Sequence, residues 1–238
     1  MINLEILKKS QIGFTIGIRF RNNFIIEDNY GAIIDSILYD KNSFFTPRKF
    51  PVVLSNENEK ILWNENTKNR LIINPANIIL DVADQKDISE ENSIKIYGEH
   101  IVKEILSEYK VENVNRIGYV HKYFITDKEF REEFRKRVIP SKGKTLSNLN
   151  LQFTQKIPML PEAKTHKNVS DYYNVIYTFM DMVNDDRGLF LSVDFQRLFV
   201  PTLETIRGLD YNQFISKTQS YENNVVTFLT NNYGKINE

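Results

Sequence analysis

The sequence predicts an α+β protein: one curved antiparallel sheet with its long helices packed on a single face. Three observations predict it. Short segments alternate apolar and polar residues, two long stretches carry apolar residues at helical spacing, and the order of elements runs twice along the chain.

The first alternating segment is Gln11 to Phe20. Phe14, Ile16, Ile18 and Phe20 point one way, and Gly13, Thr15, Gly17 and Arg19 the other, which is the period of a half-buried strand. Tyr30, Ile33, Ile34, Ile37 and Leu38 follow at helical spacing, with Asp28 and Asn29 as cap candidates. Beyond Pro47 and Pro51, Val52 to Ser55, Lys60 to Trp63, Arg70 to Asn74 and Ala76 to Val82 read as a meander joined by Asn-rich turns. A long helix over 89–109 comes next. Ser89 caps it, Glu90 and Glu91 complement its dipole, and Ile94, Tyr97, Ile101 and Ile105 form its stripe.

The order then restarts. Arg116 to Ile125 reads as a strand, and Thr126-Asp-Lys-Glu129 is a capping box opening a helix with Phe130, Phe134 and Val138 on one side. Strands are expected at Leu149 to Ile157, Tyr172 to Val183 and Leu189 to Leu198, the last two joined by a hairpin loop, Asn184 to Gly188. Tyr211, Phe214, Ile215, Thr218, Val225, Val226 and Leu229 mark a C-terminal helix over 208–230. Ile12-Gly13-Phe14 is echoed by Ile117-Gly118-Tyr119. We therefore expect two pseudo-repeats, 1–112 and 113–238, within one continuous domain.

Composition bounds the function. The 238 residues carry 31 Lys+Arg and 31 Asp+Glu, with 41% hydrophobic residues and no Cys. Such a chain is too apolar to stay disordered, and it holds no disulfide, thiolate metal site or Cys nucleophile. Zero net charge disfavours a general nucleic-acid binder. No apolar run approaches the roughly 20 residues of a membrane span, so a cytoplasmic protein without a membrane partner is expected.

Candidate chemistry is sparse. His100, His121 and His166 lack a second ligand at metal spacing; His121 reads as a hydrogen-bonded core residue, and His100 as exposed beside Glu99. Gly143-Lys144-Thr145 lacks the upstream glycine of a phosphate loop. No D…E-x-K metal pattern lies on a strand, although Asp194 would pair with Asp81 if the halves align. Neither cofactor nor catalytic residue is expected.

Protein binding fits the composition best, by a partner or a second copy. The 12 Tyr and 16 Phe exceed what one modest core requires, and the strand 172–183 is apolar on both sides. The expected contact residues are Arg19, Arg21, Lys122, Tyr177, Met180, Met182, Asp194 and Gln196, together with the 140–169 segment. The alternative is a nucleic-acid or nuclease-associated accessory that uses Arg131, Arg135, Arg137, Lys142 and Lys144 with the basic open sheet face.

Two resemblances add to this. The order strand, helix, meander, helix, run twice, resembles the duplicated saddle of TATA-binding-protein-like folds. Asn115-Arg116-Ile117-Gly118-Tyr119-Val120-His121-Lys122-Tyr123-Phe124-Ile125 resembles the Arg-(Ile/Leu)-Gly-Leu-Arg-Tyr-Ile strand of a sporadically distributed, uncharacterised prokaryotic family, with Tyr-Val-His where that family has Leu-Arg-Tyr. The second resemblance implies an accessory gene of the defence or toxin–antitoxin kind and supplies no catalytic residues.

Overall fold

Among the described residues, alternating side chains fold into nine strands of one sheet. The computed structural model describes residues 3–39, 52–56, 58–85, 89–138, 148–158, 172–182 and 188–233. The strands are β1 (Gln11–Phe20), β2 (Val52–Ser55), β3 (Lys60–Trp63), β4 (Arg70–Asn74), β5 (Asn77–Val82), β6 (Glu112–Ile125), β7 (Asn148–Pro158), β8 (Tyr172–Met182) and β9 (Leu189–Thr205). Their order is β2-β3-β4-β5-β1-β6-β9-β8-β7, and every pairing is antiparallel. The opening strand of each half, β1 and β6, thus lies at the centre. Each is flanked by the last strand of its own meander.

The helices are α1 (Leu4–Lys9), α2 (Phe24–Asp28), α3 (Tyr30–Tyr39), α4 (Glu90–Ile96), α5 (Leu106–Glu108), α6 (Lys128–Val138), α7 (Tyr211–Ser220) and α8 (Glu222–Tyr233). Between α4 and α5 the backbone is π-helical over Tyr97–Ile105, so the expected long helix is continuous but underwound there, with i→i+5 bonds. Ser89 caps it as expected, its side chain accepting from the Asn92 N–H. The C-terminal helix is two helices that meet at Tyr221 and end at Tyr233. Asp127, one residue beyond the expected Thr126, caps α6 by accepting from the Phe130 N–H at 2.7 Å.

Phe14, Ile16, Ile18 and Phe20 are buried on one face of β1, joined there by Leu71, Ile73, Ile78 and Leu80 and by Tyr119, Val193 and Phe195. The helices close over this face. Tyr97 Oη donates to the Ile78 carbonyl, Tyr177 stacks on Phe228 at 4.1 Å between centroids, and Phe134 packs on Phe179 at 4.8 Å. The abundant tyrosines are absorbed by this aromatic layer: Tyr97, Tyr119, Tyr123, Tyr173 and Tyr177 are all buried. That corrects the reading of the aromatic excess as interface material. Among the described residues, no helix covers the other face of the sheet.

Candidate functional site

Residues directly opposite in neighbouring strands share a face, so the uncovered side can be followed row by row. The middle row runs Arg70, Asp81, Thr15, Val120, Asp194, Ile176 and Thr154. Beside it lie Leu54, Ile61, Ile72, Ile79, Gly17, Gly118, Gln196 and Asn174, four apolar side chains leading to two opposed glycines. A third row sets Asn77, Arg19, Arg116 and Leu198 side by side. On the far side of the middle row, Gly13, Lys122, Ser192 and Thr178 are in line.

Two aspartates occupy matching places in the middle row. An antiparallel pair has a local two-fold axis between opposed residues, here between Thr15 and Val120. That axis exchanges β1 with β6, β5 with β9, and Asp81 with Asp194. Asp81 is saturated with donors: Thr15 Oγ1 at 2.6 Å, Arg70 Nε at 3.0 Å, and Lys122 Nζ, which crosses β1 beside Gly13. Burial would raise its carboxyl, but hydrogen bonds from Lys122 and Thr15 and the charges of Lys122 and Arg70 outweigh burial and hold it below the usual carboxylate range.

The axis gives each of those donors a counterpart that cannot donate. Thr15 maps to Val120, Arg70 to Ile176 and Lys122 to Gly17. Asp194 keeps a hydrogen bond from Gln196 Nε2. Burial pushes its carboxyl above the usual range, and the Gln196 bond and the Arg116 charge offset this only in part. Beside it is a shallow pocket of about 70 Å³, floored by Gly17 and Gly118 and walled by Thr15, Val120, Asp194, Arg19 and Arg116. Arg19 is exposed and Arg116 half-buried, and neither has an ion-pair partner among the described residues.

The structure thus brings together Arg19, Lys122, Asp194 and Gln196 at the centre of the uncovered face. Met180 stands on the same face nearer the β7 edge, 40% exposed. Arg21 is exposed but lies past the end of β1. Tyr177 is a correction: it is fully buried on the helix-covered face, its hydroxyl 3.2 Å from that of Tyr221. Its strand is apolar on both sides, but parity sends Tyr177 inward and Ile176 and Met180 outward. Asp81 and Asp194 share a row, yet Thr15 and Val120 stand between them, so they do not form a pair. Sequence reasoning missed Arg116, Arg70 and the opposed glycines as parts of this site. The register of β1 against β6 is what unites them, and the echo of Gly13 by Gly118 was its one visible trace.

The second basic group lies on the other side of the sheet. Arg131 is buried, and Arg135 grips the buried Asp181 with Nε and Nη2 at 2.5 and 2.7 Å. Arg137 donates to the Asn232 carbonyl at 3.0 Å. These residues lie across the sheet from the basic open face, and Arg135 and Arg137 fasten α6 to β8 and α8. Lys142, Lys144, His166 and most of the 140–169 segment lie outside the described residues, as do the Met182 side chain and the loop before Gly188.

The other two histidines are buried. His100, expected to be exposed, places Nδ1 2.5 Å from Glu104 Oε2, one helical turn on. His121 lies beneath α4, near a network in which Glu90 accepts from Tyr119 Oη and, at 2.9 Å, from Gln11 Nε2. Neither ring nitrogen of His121 has a hydrogen-bond partner among the described residues, which corrects the expected hydrogen-bonded state. Burial lowers its pKa, with Glu90 and Glu222 opposing. No group of three or more His, Cys, Asp or Glu among the described residues has metal-binding geometry.

No family model matches the chain, and no curated protein matches it. The resemblance of residues 115–125 to a prokaryotic family gains no support from that comparison. Among solved structures, the chain is similar to Methanococcus jannaschii TBP at 11% identity, over 92% of this chain and 98% of that one, with a TM-score of 0.25. A likeness at that score carries no argument about this chain's chemistry. No described helix is long and apolar enough to cross a membrane.

Proposed function

We propose that the chain is a non-enzymatic accessory or scaffold protein that engages a partner protein through the uncovered face of its sheet. One observation carries the reading: the row Leu54, Ile61, Ile72 and Ile79 sets four apolar side chains in line on the face that the helices leave bare, with Leu54 43% exposed. Such a stripe next to Arg19, Arg116 and Asp194 has the apolar-plus-polar composition of interface centres. A defence or toxin–antitoxin setting rests on the 115–125 resemblance alone.

The nucleic-acid alternative needs a track of uncommitted cations. Lys122 and Arg70 are committed to Asp81, and Arg135 to Asp181, so the geometry supports it less. The test is affinity capture from the native host at moderate salt, with wild type beside Ile61→Glu/Ile72→Glu. The reading expects a stoichiometric protein that wild type retains and the double variant loses while keeping its cooperative thermal transition. Equal retention by both would overturn it. So would capture of nucleic acid alone, shed between roughly 50 and 200 mM salt.

A further inference from the structure

The two aspartates of the middle row make one half of the sheet a template for the other. In the first half the carboxylate is met by an ammonium group that arrives from two strands away across a glycine: Lys122 of β6 passes Gly13 of β1 to reach Asp81. In the second half the carboxylate and the glycine are both present, as Asp194 and Gly118. The position that would send the lysine is Gly17, and the space its side chain would fill is the pocket floored by Gly17 and Gly118. Its volume of about 70 Å³ matches roughly two waters, room for the end of a side chain and no more.

We propose, resting on the partner-binding reading above, that Asp194 is the seat of a lysine ammonium group carried by the partner polypeptide, which reaches it across Gly118 as Lys122 reaches Asp81. Charge complementarity names this occupant. A carboxylate half-withdrawn from water, with a single neutral donor in Gln196, gains most from a charged donor. Arg116 does not take that place: its charge is felt by Asp194, but the two form no ion pair. Arg19 and Arg116 wall the pocket one row further along and oppose each other directly, an arrangement that repels unless an anion lies between. The partner segment therefore sets a carboxylate beside its lysine.

The probe is Nα-acetyl-lysine amide, with Nα-acetyl-norleucine amide as its uncharged control, followed by NMR at the Asp194 carboxyl carbon and the Gly17 and Gly118 amides. The lysine probe shifts all three saturably, the norleucine probe does not, and Asp194→Asn weakens the response roughly tenfold or more. Gly17→Lys supplies the missing side chain from within and abolishes the response; a methyl group at position 17 meets the Ile79 side chain at 3.0 Å and the Ile78 carbonyl oxygen at an ordinary 3.5 Å. If that variant misfolds, Asp194→Asn still decides. No shift at Asp194 in wild type overturns the proposal. If the lysine probe fails while the captured partner still depends on Ile61 and Ile72, the lysine seat is wrong and the partner-binding face stands. If neither holds, both fall.

Discussion

Asp81 and Asp194 occupy equivalent places about the axis between β1 and β6, and they have opposite chemistry. Around Asp81 the sheet supplies a lysine, an arginine and a threonine; around Asp194 the same positions hold Gly17, Ile176 and Val120. A carboxylate on this face is thus not intrinsically strained or stable. Its state is set by three neighbours one or two strands away. The carboxylate of the first half is met by a full set of donors, one of them Lys122 from the second half, whereas the carboxylate of the second half keeps only Gln196.

The floor of each site gives the largest contrast. A methyl group at Gly13 would lie 2.2 Å from the Val82 carbonyl oxygen, a backbone atom that cannot yield, whereas at Gly118 its nearest neighbour is Asp194 Oδ1 at 3.6 Å. Gly13→Ala should cost about 3 kcal/mol in urea denaturation, and Gly118→Ala should stay within about 0.5 kcal/mol of wild type. Similar losses at both would break the comparison.

Removing a charge comes next. Lys122→Met leaves a buried carboxylate short of its ammonium and should destabilise by about 2 kcal/mol at pH 7. Asp194→Asn removes an ionised group that burial disfavours, so it should change stability by less than about 0.5 kcal/mol or raise it slightly. Denaturant titrations of the two variants side by side check this.

The pH dependence sharpens the same contrast. Asp81 titrates lower in the folded chain than its ordinary 3.8, so the stability it contributes is complete above that value and is lost as pH falls through the folded value. Asp194 titrates higher when folded; its cost is present at neutral pH and is relieved as pH falls through its folded value. His121 titrates below 6.5 when folded, so acidification protonates the unfolded chain first and stability declines below about 6.5. His121→Gln should flatten the stability curve below about pH 6.5. A decline unchanged in that variant would remove His121 from the account.

The smallest effect is constructive. Val120→Thr gives Asp194 the hydroxyl that Thr15 gives Asp81, and should stabilise by about 0.5 to 1 kcal/mol while lowering the Asp194 pKa. A stability loss would mean that the two surroundings are less alike than the register implies.

Much of this architecture was legible in the residues. Alternation in Gln11–Phe20 and the Asn-rich turns between Val52 and Val82 marked five strands almost to the residue, because each has one face against the core and one against water. The run Leu189 to Leu198 continues to Thr205 because β6 offers it a partner back to Glu112, and pairing partners leave no local trace. The face of Tyr177 was missed for a different reason. Its strand is apolar on both sides, so alternation cannot say which side the helices cover. Arg135 looked like surface charge since its partner, Asp181, lies 46 residues away. The site itself was half legible: Arg19, Lys122, Asp194 and Gln196 were visible as polar residues on strands. That Gly17 stands where a lysine would complete Asp194 emerges only from the register.

The most direct test is the titration of both carboxyl groups in one sample, followed by carboxyl-carbon NMR with assignments from Asp81→Asn and Asp194→Asn. Two separate transitions are expected, Asp81 below the ordinary aspartate value of 3.8 and Asp194 above it. Coincident transitions, or the reverse order, would contradict the difference in surroundings between the two aspartates.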